Sequence, residues 1–357
     1  MNGVNRVVNA LANAQADLGY DVEVWGITAD PYSEVPQQKY KVRLFQSVSN
    51  KLLLHPSVKA AYKELSNEDA IVHIHGTFIF EFVWIGKLLR KLGQKYCITT
   101  HGTFNSRALA KGSQRKKYFF HLFDSKLVRG AAFMHFLGQS EYDAFENKVK
   151  NHRKVLIPNG MDLSEIKYDF VSKKKNKEFV FGFCGRMKKN VKGLDLMLEG
   201  FSKYLKENNV DDQLWFIGDG DQKQEVERMV LDLQLKENVV FWGSQYGEEK
   251  FNLLANMDVF LHTSRYEGMP TAVLEAAALG LPSIVSKETN VGQYLTTYSA
   301  GYMTPENTSD EIARAMQFMK SDVQIKKSEY YKNCKKMVEE VFDWKKIAAS
   351  LYREYDK

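Results

Sequence analysis

The stretch Ser264-Arg-Tyr-Glu-Gly-Met-Pro-Thr-Ala-Val-Leu-Glu-Ala-Ala-Ala-Leu-Gly-Leu-Pro-Ser-Ile-Val285 decides the fold. Pro270 suits the first turn of a helix, where a missing N–H costs nothing. Gly280 and Pro282 stop that helix about three turns on. The apolar run Leu281 to Val285 then reads as a buried strand. The helix start leaves the N–H groups of Met269, Thr271 and Ala272 for a ligand, and Gly268 lets that ligand come close to the backbone. Helix starts favour anions, phosphates above all. Glu267 stands just before the helix and Glu275 lies inside it. Two carboxylates would repel a bare phosphate, so they should face something rich in hydroxyls. A phosphate joined to a polyol is a sugar nucleotide. A capped amphipathic helix with two surface glutamates would show the same letters, and only the rest of the chain separates the two readings.

Outward from this stretch, strands alternate with helices, which calls for parallel, doubly wound sheets. In the first half, strands are expected at Asp21 to Gly26, at Ala70 to His75, at Tyr96 to Thr100 and at Ala132 to Leu137. Helical periodicity runs from Val7 to Leu18 and from about Thr77 to Leu92, and Ser140 suits the cap of a further helix. In the second half, strands are expected at Phe179 to Phe183, Gln213 to Ile217, Val239 to Gly243 and Val259 to His262, and Phe342-Asp-Trp344 precedes a last helix. The polar stretch 164–177, with five lysines, is the expected linker.

Glu267 and Glu275 resemble the Glu-x7-Glu motif of retaining glycosyltransferases of family 4. Further turns match that family in the same order: His101-Gly102, Gly185-Arg186, Lys192-Gly193 and Gly218-Asp-Gly220. The resemblance implies a GT-B fold, two Rossmann-like domains facing a cleft. Residues 1–163, completed by a helix over 345–357, would form the acceptor-side domain, and residues 178–344 the nucleotide-sugar domain. It also implies a nucleotide-diphosphate sugar as donor, with no further cofactor, and a glycan or lipid-linked acceptor in surface polysaccharide synthesis. Arg186 and Lys192 would grip the diphosphate, where negative charge builds as the anomeric bond breaks. The spacing is one residue longer than the commonest form, so Lys188 and Lys189 compete with Lys192. Glu267 and His101 would act at the donor sugar, with His75 a weaker candidate beside His101. Glu275 would take the ribose hydroxyls. The leaving phosphate would deprotonate the acceptor, while a covalent sugar on Glu267 is the rival mechanism. A sugar-nucleotide epimerase on the same fold, or a sugar-nucleotide binding protein without turnover, are the alternatives.

Asn2-Gly3-Val4-Asn5-Arg6 resembles the end of the glycine loop that follows the first strand of such a domain, which would bring Gly3 to the donor phosphate or the acceptor. Met1 then falls inside the loop, so the first strand of the N-terminal domain is expected to be missing from the chain as written.

Other chemistries fit less well. Gly182-x-x-Gly185 lacks the third glycine and the acidic residue that a dinucleotide site needs. Asp219-Gly-Asp221 sits in a turn after a strand with no histidine or glutamate cluster, so no metal is expected. Cys97, Cys184 and Cys334 are scattered and odd in number, which suits reduced thiols in a cytoplasmic protein. Residues 1–160 carry 22 Lys and Arg against 13 Asp and Glu, whereas the remainder is slightly acidic. A basic first half invites an anionic partner. Within it, residues 111–129 interleave cations with aromatics. An ordinary helix with an apolar core face reads this way, and so does a contact with an anionic membrane surface at the inner face of the cell membrane. Nucleic acid is not an expected partner.

Overall fold

The computed structural model describes residues 3–50, 53–104, 113–146, 149, 152–162, 166 and 178–357. The chain divides into two compact units, residues 1–160 with 344–357, and residues 161–343. Of the expected linker 164–177, only Ile166 lies among the described residues.

The second unit holds one six-stranded parallel sheet. Its strands are β7 (Val180–Cys184), β8 (Gln213–Ile217), β9 (Val239–Gly243), β10 (Val259–His262), β11 (Ser283–Ser286) and β12 (Gly301–Thr304), in the order β12-β11-β10-β7-β8-β9. Such strands are nearly continuous apolar runs because both faces are covered. Successive residues of β7 serve opposite cores. Phe181 and Phe183 pack with Leu194, Met197, Leu198 and Phe201 of helix α8 (Leu194–Asn208) and with Val226 of α9 (Lys223–Asp232). Val180 and Cys184 pack with Leu254 of α10 (Gly247–Ala255), Leu274 of α11 (Thr271–Ala278) and Leu295 of α12 (Gly292–Thr297). Helix α13 (Ser309–Val341) serves both cores, Ile312 and Met316 on one side and Met337 and Val338 on the other. It can do so because its helix breaks at Lys326. Thr308 caps its start by accepting from the Glu311 N–H at 3.3 Å.

The strand order reverses between β7 and β10. In open α/β sheets, ligands bind beyond the carboxyl ends of strands at such a switch point. The loops there are Gly185 to Lys188 after β7 and Thr263 to Pro270 after β10, together with the short helix α7 (Lys189–Lys192).

In the first unit, β1 (Glu23–Thr28) pairs with β2 (Lys41–Gln46), and β3 (Val72–His75), β4 (Tyr96–Thr99), β5 (Met134–Phe136) and β6 (Lys154–Leu156) form a second parallel sheet. Ile74, Ile98, Met134 and Phe136 supply its core beneath Leu89 of α3 (Phe80–Leu92) and Phe145 of α6 (Gln139–Glu146). Ser140 therefore lies inside the first turn of α6 instead of capping it. Helix α4 (Ser113–Phe119) runs through a π turn (Phe120–Asp124) into α5 (Ser125–Arg129). The last helix, α14 (Trp344–Tyr355), packs Ile347, Ala348 and Leu351 on Leu11 and Ala14 of α1 (Gly3–Asp17). Strand β2 and helix α2 (Pro56–Leu65) have no counterpart in the sequence reading. Each sits in a polar stretch whose short apolar pattern shows its meaning only against a partner.

Candidate active site

Helix α11 begins at Thr271, with Pro270 extended ahead of it, and has eight residues. That is about two turns, a correction to the expected three, and Pro270 caps the helix from outside its first turn. The early end is set by packing. Gly280 is left-handed at φ 78°, with the Tyr331 ring of α13 occupying the place of a Cβ. By helix geometry, the first N–H groups of α11, those of Thr271 and Ala272, have no intrahelical acceptor. Met269 and Ala272 are half-buried against the core.

The loop before α11 is held from several sides. Asn290 donates to the carbonyls of Glu267 and Gly268, both at 2.9 Å. Ser286 donates to the Ser264 carbonyl at 2.6 Å, and Asn307 to that of Thr263 at 3.0 Å. Arg265 forks onto Asp195 at 2.7 and 2.6 Å, while its backbone N–H takes the Val191 carbonyl at 2.9 Å. These bonds tie the Glu267 loop to the Lys192 loop. Gly193 is required at this junction. It is left-handed at φ 64°, and a Cβ would lie 2.2 Å from the Thr263 carbonyl oxygen.

The clamp brings Lys192 against Glu267, and the two form an ion pair. Three donors meet on one carboxylate oxygen of Glu267, Oε2. They are the Lys192 ammonium, the His262 Nε2–H at 3.3 Å and the Ser264 hydroxyl at 3.4 Å. Burial by itself would raise the Glu267 carboxyl, but His262 and Lys192 outweigh it and hold the group at about 2. Burial lowers His262, so its imidazole is neutral and Nε2 carries the proton it donates. Sequence reading had placed His262 only as the end of a strand. A histidine closing an apolar run just before a loop is too common a pattern to single out.

Of the rival lysines, Lys189 turns away to Glu225 at 2.7 Å, and Lys192 is the one that reaches Glu267. Arg186 is exposed, with Nε 4.0 Å from Asp221. The Gly218-Asp-Gly220 turn packs directly under it, and a Cβ on Gly218 would strike the Gly185 carbonyl oxygen at 2.1 Å. This contact explains why the two glycine turns occur together. Asp219 accepts from the Gly220 N–H at 2.7 Å. Among the described residues, no three His, Cys, Asp or Glu side chains gather as a metal site would need. Glu275 accepts from Lys250 of α10 at 2.8 Å, a partner that only the fold supplies.

In the first unit, Gly3 opens α1. His101 follows β4 in a left-handed conformation at φ 50°. Its Nε2 lies 3.0 Å from His75 Nδ1, and burial pushes it down to about 4. His73 stacks on His75 at 4.3 Å. A hydrogen-bonded chain starts behind it, and its direction is fixed by a backbone carbonyl. His135 is neutral, pushed down to about 4 by burial, and its Nε2–H donates to the Ile157 carbonyl at 2.8 Å. Its Nδ1 must then accept from the Thr99 hydroxyl at 2.7 Å. The Thr99 oxygen accepts from His73 Nε2 at 2.6 Å, and His73 Nδ1 accepts from the Tyr355 hydroxyl at 2.7 Å. The chain anchors α14 to the strand ends that carry His75 and His101.

Comparison with known proteins agrees with this architecture. The model of the group 1 glycosyl transferases matches residues 164–339, and that of glycosyltransferase family 4 matches residues 1–165. The UDP-Gal:alpha-D-GlcNAc-diphosphoundecaprenol alpha-1,3-galactosyltransferase of Escherichia coli is 26% identical over 337 residues, 88% of this chain and 84% of the relative. The gpi3 subunit of phosphatidylinositol N-acetylglucosaminyltransferase from Schizosaccharomyces pombe is 24% identical over 80% of this chain and 60% of that protein. Among solved structures, Anabaena HepE in complex with UDP superposes with a TM-score of 0.73 at 16% identity, covering 99% of this chain and 96% of HepE. The apo form of the lipopolysaccharide outer core galactosyltransferase WaaB gives 0.70 at 14% identity, over 99% and 95% of the two chains. These likenesses are of fold, and the fold they share is GT-B. With both family models covering the chain in tandem and the switch-point loops built as described, the chain belongs to the group 1, family 4 glycosyltransferases.

Proposed function

We propose that this glycosyltransferase moves a sugar from a nucleotide-diphosphate sugar to a glycan or lipid-linked acceptor, with retention at the anomeric carbon and without a metal. The observation that carries the reading is the Glu267 carboxylate. It is kept ionised, held on Oε2 by three donors, and placed beside a helix start at the switch point of the sheet. Oε1 then serves the hydroxyls of the donor sugar. The N–H groups of Gly268, Met269, Thr271 and Ala272 meet the sugar and the phosphate next to it. Arg186, exposed and lightly engaged, takes the diphosphate. Lys192 shares itself between Glu267 and that diphosphate, so that it follows charge onto the leaving group as the anomeric bond breaks. Glu275, steadied by Lys250, takes the ribose. His101 and Gly3 keep the roles the family resemblance gives them. The leaving phosphate removes the acceptor's proton, so no protein nucleophile is required.

A UDP-sugar is the first donor to try, because the Escherichia coli relative is named for UDP-Gal and HepE is seen with UDP. A lipid-linked acceptor would lie at a membrane, and helices α4 and α5 suit a peripheral, cytoplasmic-face contact. Tyr118 and Leu122 are exposed there, as are Arg115, Lys126 and Arg129. No helix among the described residues is long and apolar enough to cross a membrane.

The test is Glu267→Gln. Transfer should fall by orders of magnitude while the melting temperature stays near that of the wild type. Near-normal transfer by that variant removes Glu267 from the mechanism. A panel of nucleotide sugars read by thermal shift identifies the donor, since a ligand bound only to the folded state raises the melting temperature. Transfer and epimerisation are separated by product analysis with and without acceptor.

A further inference from the structure

We propose that His262 is a positioning residue that fixes the Glu267 carboxylate through a neutral Nε2–H donor and so presents the other carboxylate oxygen to the donor sugar. This inference rests on the function proposed above.

Packing alone does not call for a histidine at this position. His262 ends β10 and is 2% exposed. Its ring lies between those of Phe183 and Phe260, with centroids at 5.9 and 6.3 Å and planes within about 20° of parallel. A phenylalanine would fill such a slot. The imidazole instead buries a nitrogen, Nδ1, that has no hydrogen-bond partner among the described residues, and an unsatisfied buried acceptor is destabilising. The other nitrogen explains why the ring is there. Nε2 lies 3.3 Å from Glu267 Oε2.

The chemistry favours this donor over a second cation. A neutral N–H orients a carboxylate without neutralising it, so Glu267 keeps its charge for the developing positive charge of the sugar. The donor is also permanent. Lys192 is the partner that a diphosphate would draw away, and the Ser264 hydroxyl can rotate. His262 is held on a core strand between two rings and has no other acceptor to turn to among the described residues. It therefore keeps Glu267 in place at the moment when Lys192 moves.

The test uses the full chain with UDP-galactose as donor. His262→Phe keeps the ring stack and removes the donor. His262→Gln keeps an N–H near the place of Nε2. Loss of a hydrogen bond to a charged group predicts a drop in kcat of about tenfold or more for His262→Phe, with KM little changed. Its melting temperature should stay near that of the wild type, because the lost bond to Glu267 is offset by removal of the unsatisfied Nδ1. His262→Gln should recover most of the lost turnover. Wild-type turnover by His262→Phe overturns the proposal, and so does a variant pair in which Gln is no better than Phe. A purely structural role would instead lower the melting temperature of His262→Phe in step with its activity. A second readout needs no donor: in an NMR titration, the Glu267 carboxyl should titrate at higher pH in His262→Phe than in the wild type. An unchanged titration refutes the role of His262 whatever the donor. A wild type that is inactive with every nucleotide-diphosphate sugar of the panel, or an active Glu267→Gln, refutes the proposed function instead.

Discussion

The first unit should come apart in mild acid while the second remains folded. The cause is a set of four histidines, His135 buried and His73, His75 and His101 half-buried around it. Each is kept neutral first by burial, and His73, His75 and His135 also by the charge their neighbours would carry. An unfolded histidine titrates near 6.5. A base with a depressed folded value contributes stability that is complete above 6.5 and lost as pH falls toward the folded value. For His101 and His135 that window runs from 6.5 down to about 4. Each costs about 1.4 kcal/mol per pH unit within it. At pH 5 the two together remove about 4 kcal/mol, and His73 and His75, lowered further, act in the same direction. Asp124 opposes them. Burial raises it to about 6, against one hydrogen bond from the Phe78 N–H. It therefore takes up a proton in the folded state and returns about 1.4 kcal/mol at pH 5. Glu141, also raised by burial, acts as Asp124 does. The balance is a large share of the roughly 5–15 kcal/mol that holds a domain. The second unit has one such histidine, His262. Hydrogen exchange read by mass spectrometry at pH 7.5 and 5.0, corrected for intrinsic rates, should show peptides of β3, β4 and β5 losing protection first. His135→Gln should flatten the pH dependence. Equal protection of the first unit at both pH values would refute the reasoning.

Three other outcomes are expected. Gly193→Ala forces a Cβ onto the Thr263 carbonyl at a left-handed φ, so it should cost at least about 2 kcal/mol and lower transfer, as read by urea unfolding and donor turnover. Activity should survive EDTA, since cations of the chain are assigned to the diphosphate; loss restored by Mg²⁺ or Mn²⁺ would bring Asp219 and Asp221 back into consideration. Replacing Arg115, Lys116 and Lys117 together by Glu should weaken binding to anionic vesicles in a salt-sensitive way, and sedimentation that is unchanged would leave this segment a structural role only.

The sequence by itself determined the alternation of strands and helices, the parallel sheets, and the turns at which ligands gather. It could do so because each signal is local. Apolar runs such as Val180 to Cys184 must be covered on both faces, and glycines such as Gly193 and Gly218 mark close approaches of the backbone. Glu267, Glu275, Arg186 and Lys192 could be named as candidates because each stands at the offset from such a turn that the resembled family uses, Lys192 one residue further on. The tertiary structure alone decided which partners these side chains have. Lys192 and Glu267 are 75 positions apart and meet only because β7 and β10 are neighbours at the switch point. Lys250 reaches Glu275 and Arg265 reaches Asp195 across helices whose packing no local pattern states. The chain from Ile157 through His135, Thr99 and His73 to Tyr355 is assembled from β3, β4 and β5, the residue after β6 and the last helix. Periodicity tells a residue which way to face, whereas a hydrogen bond to a distant residue depends on strand order and register, which are set by the packing of the whole unit.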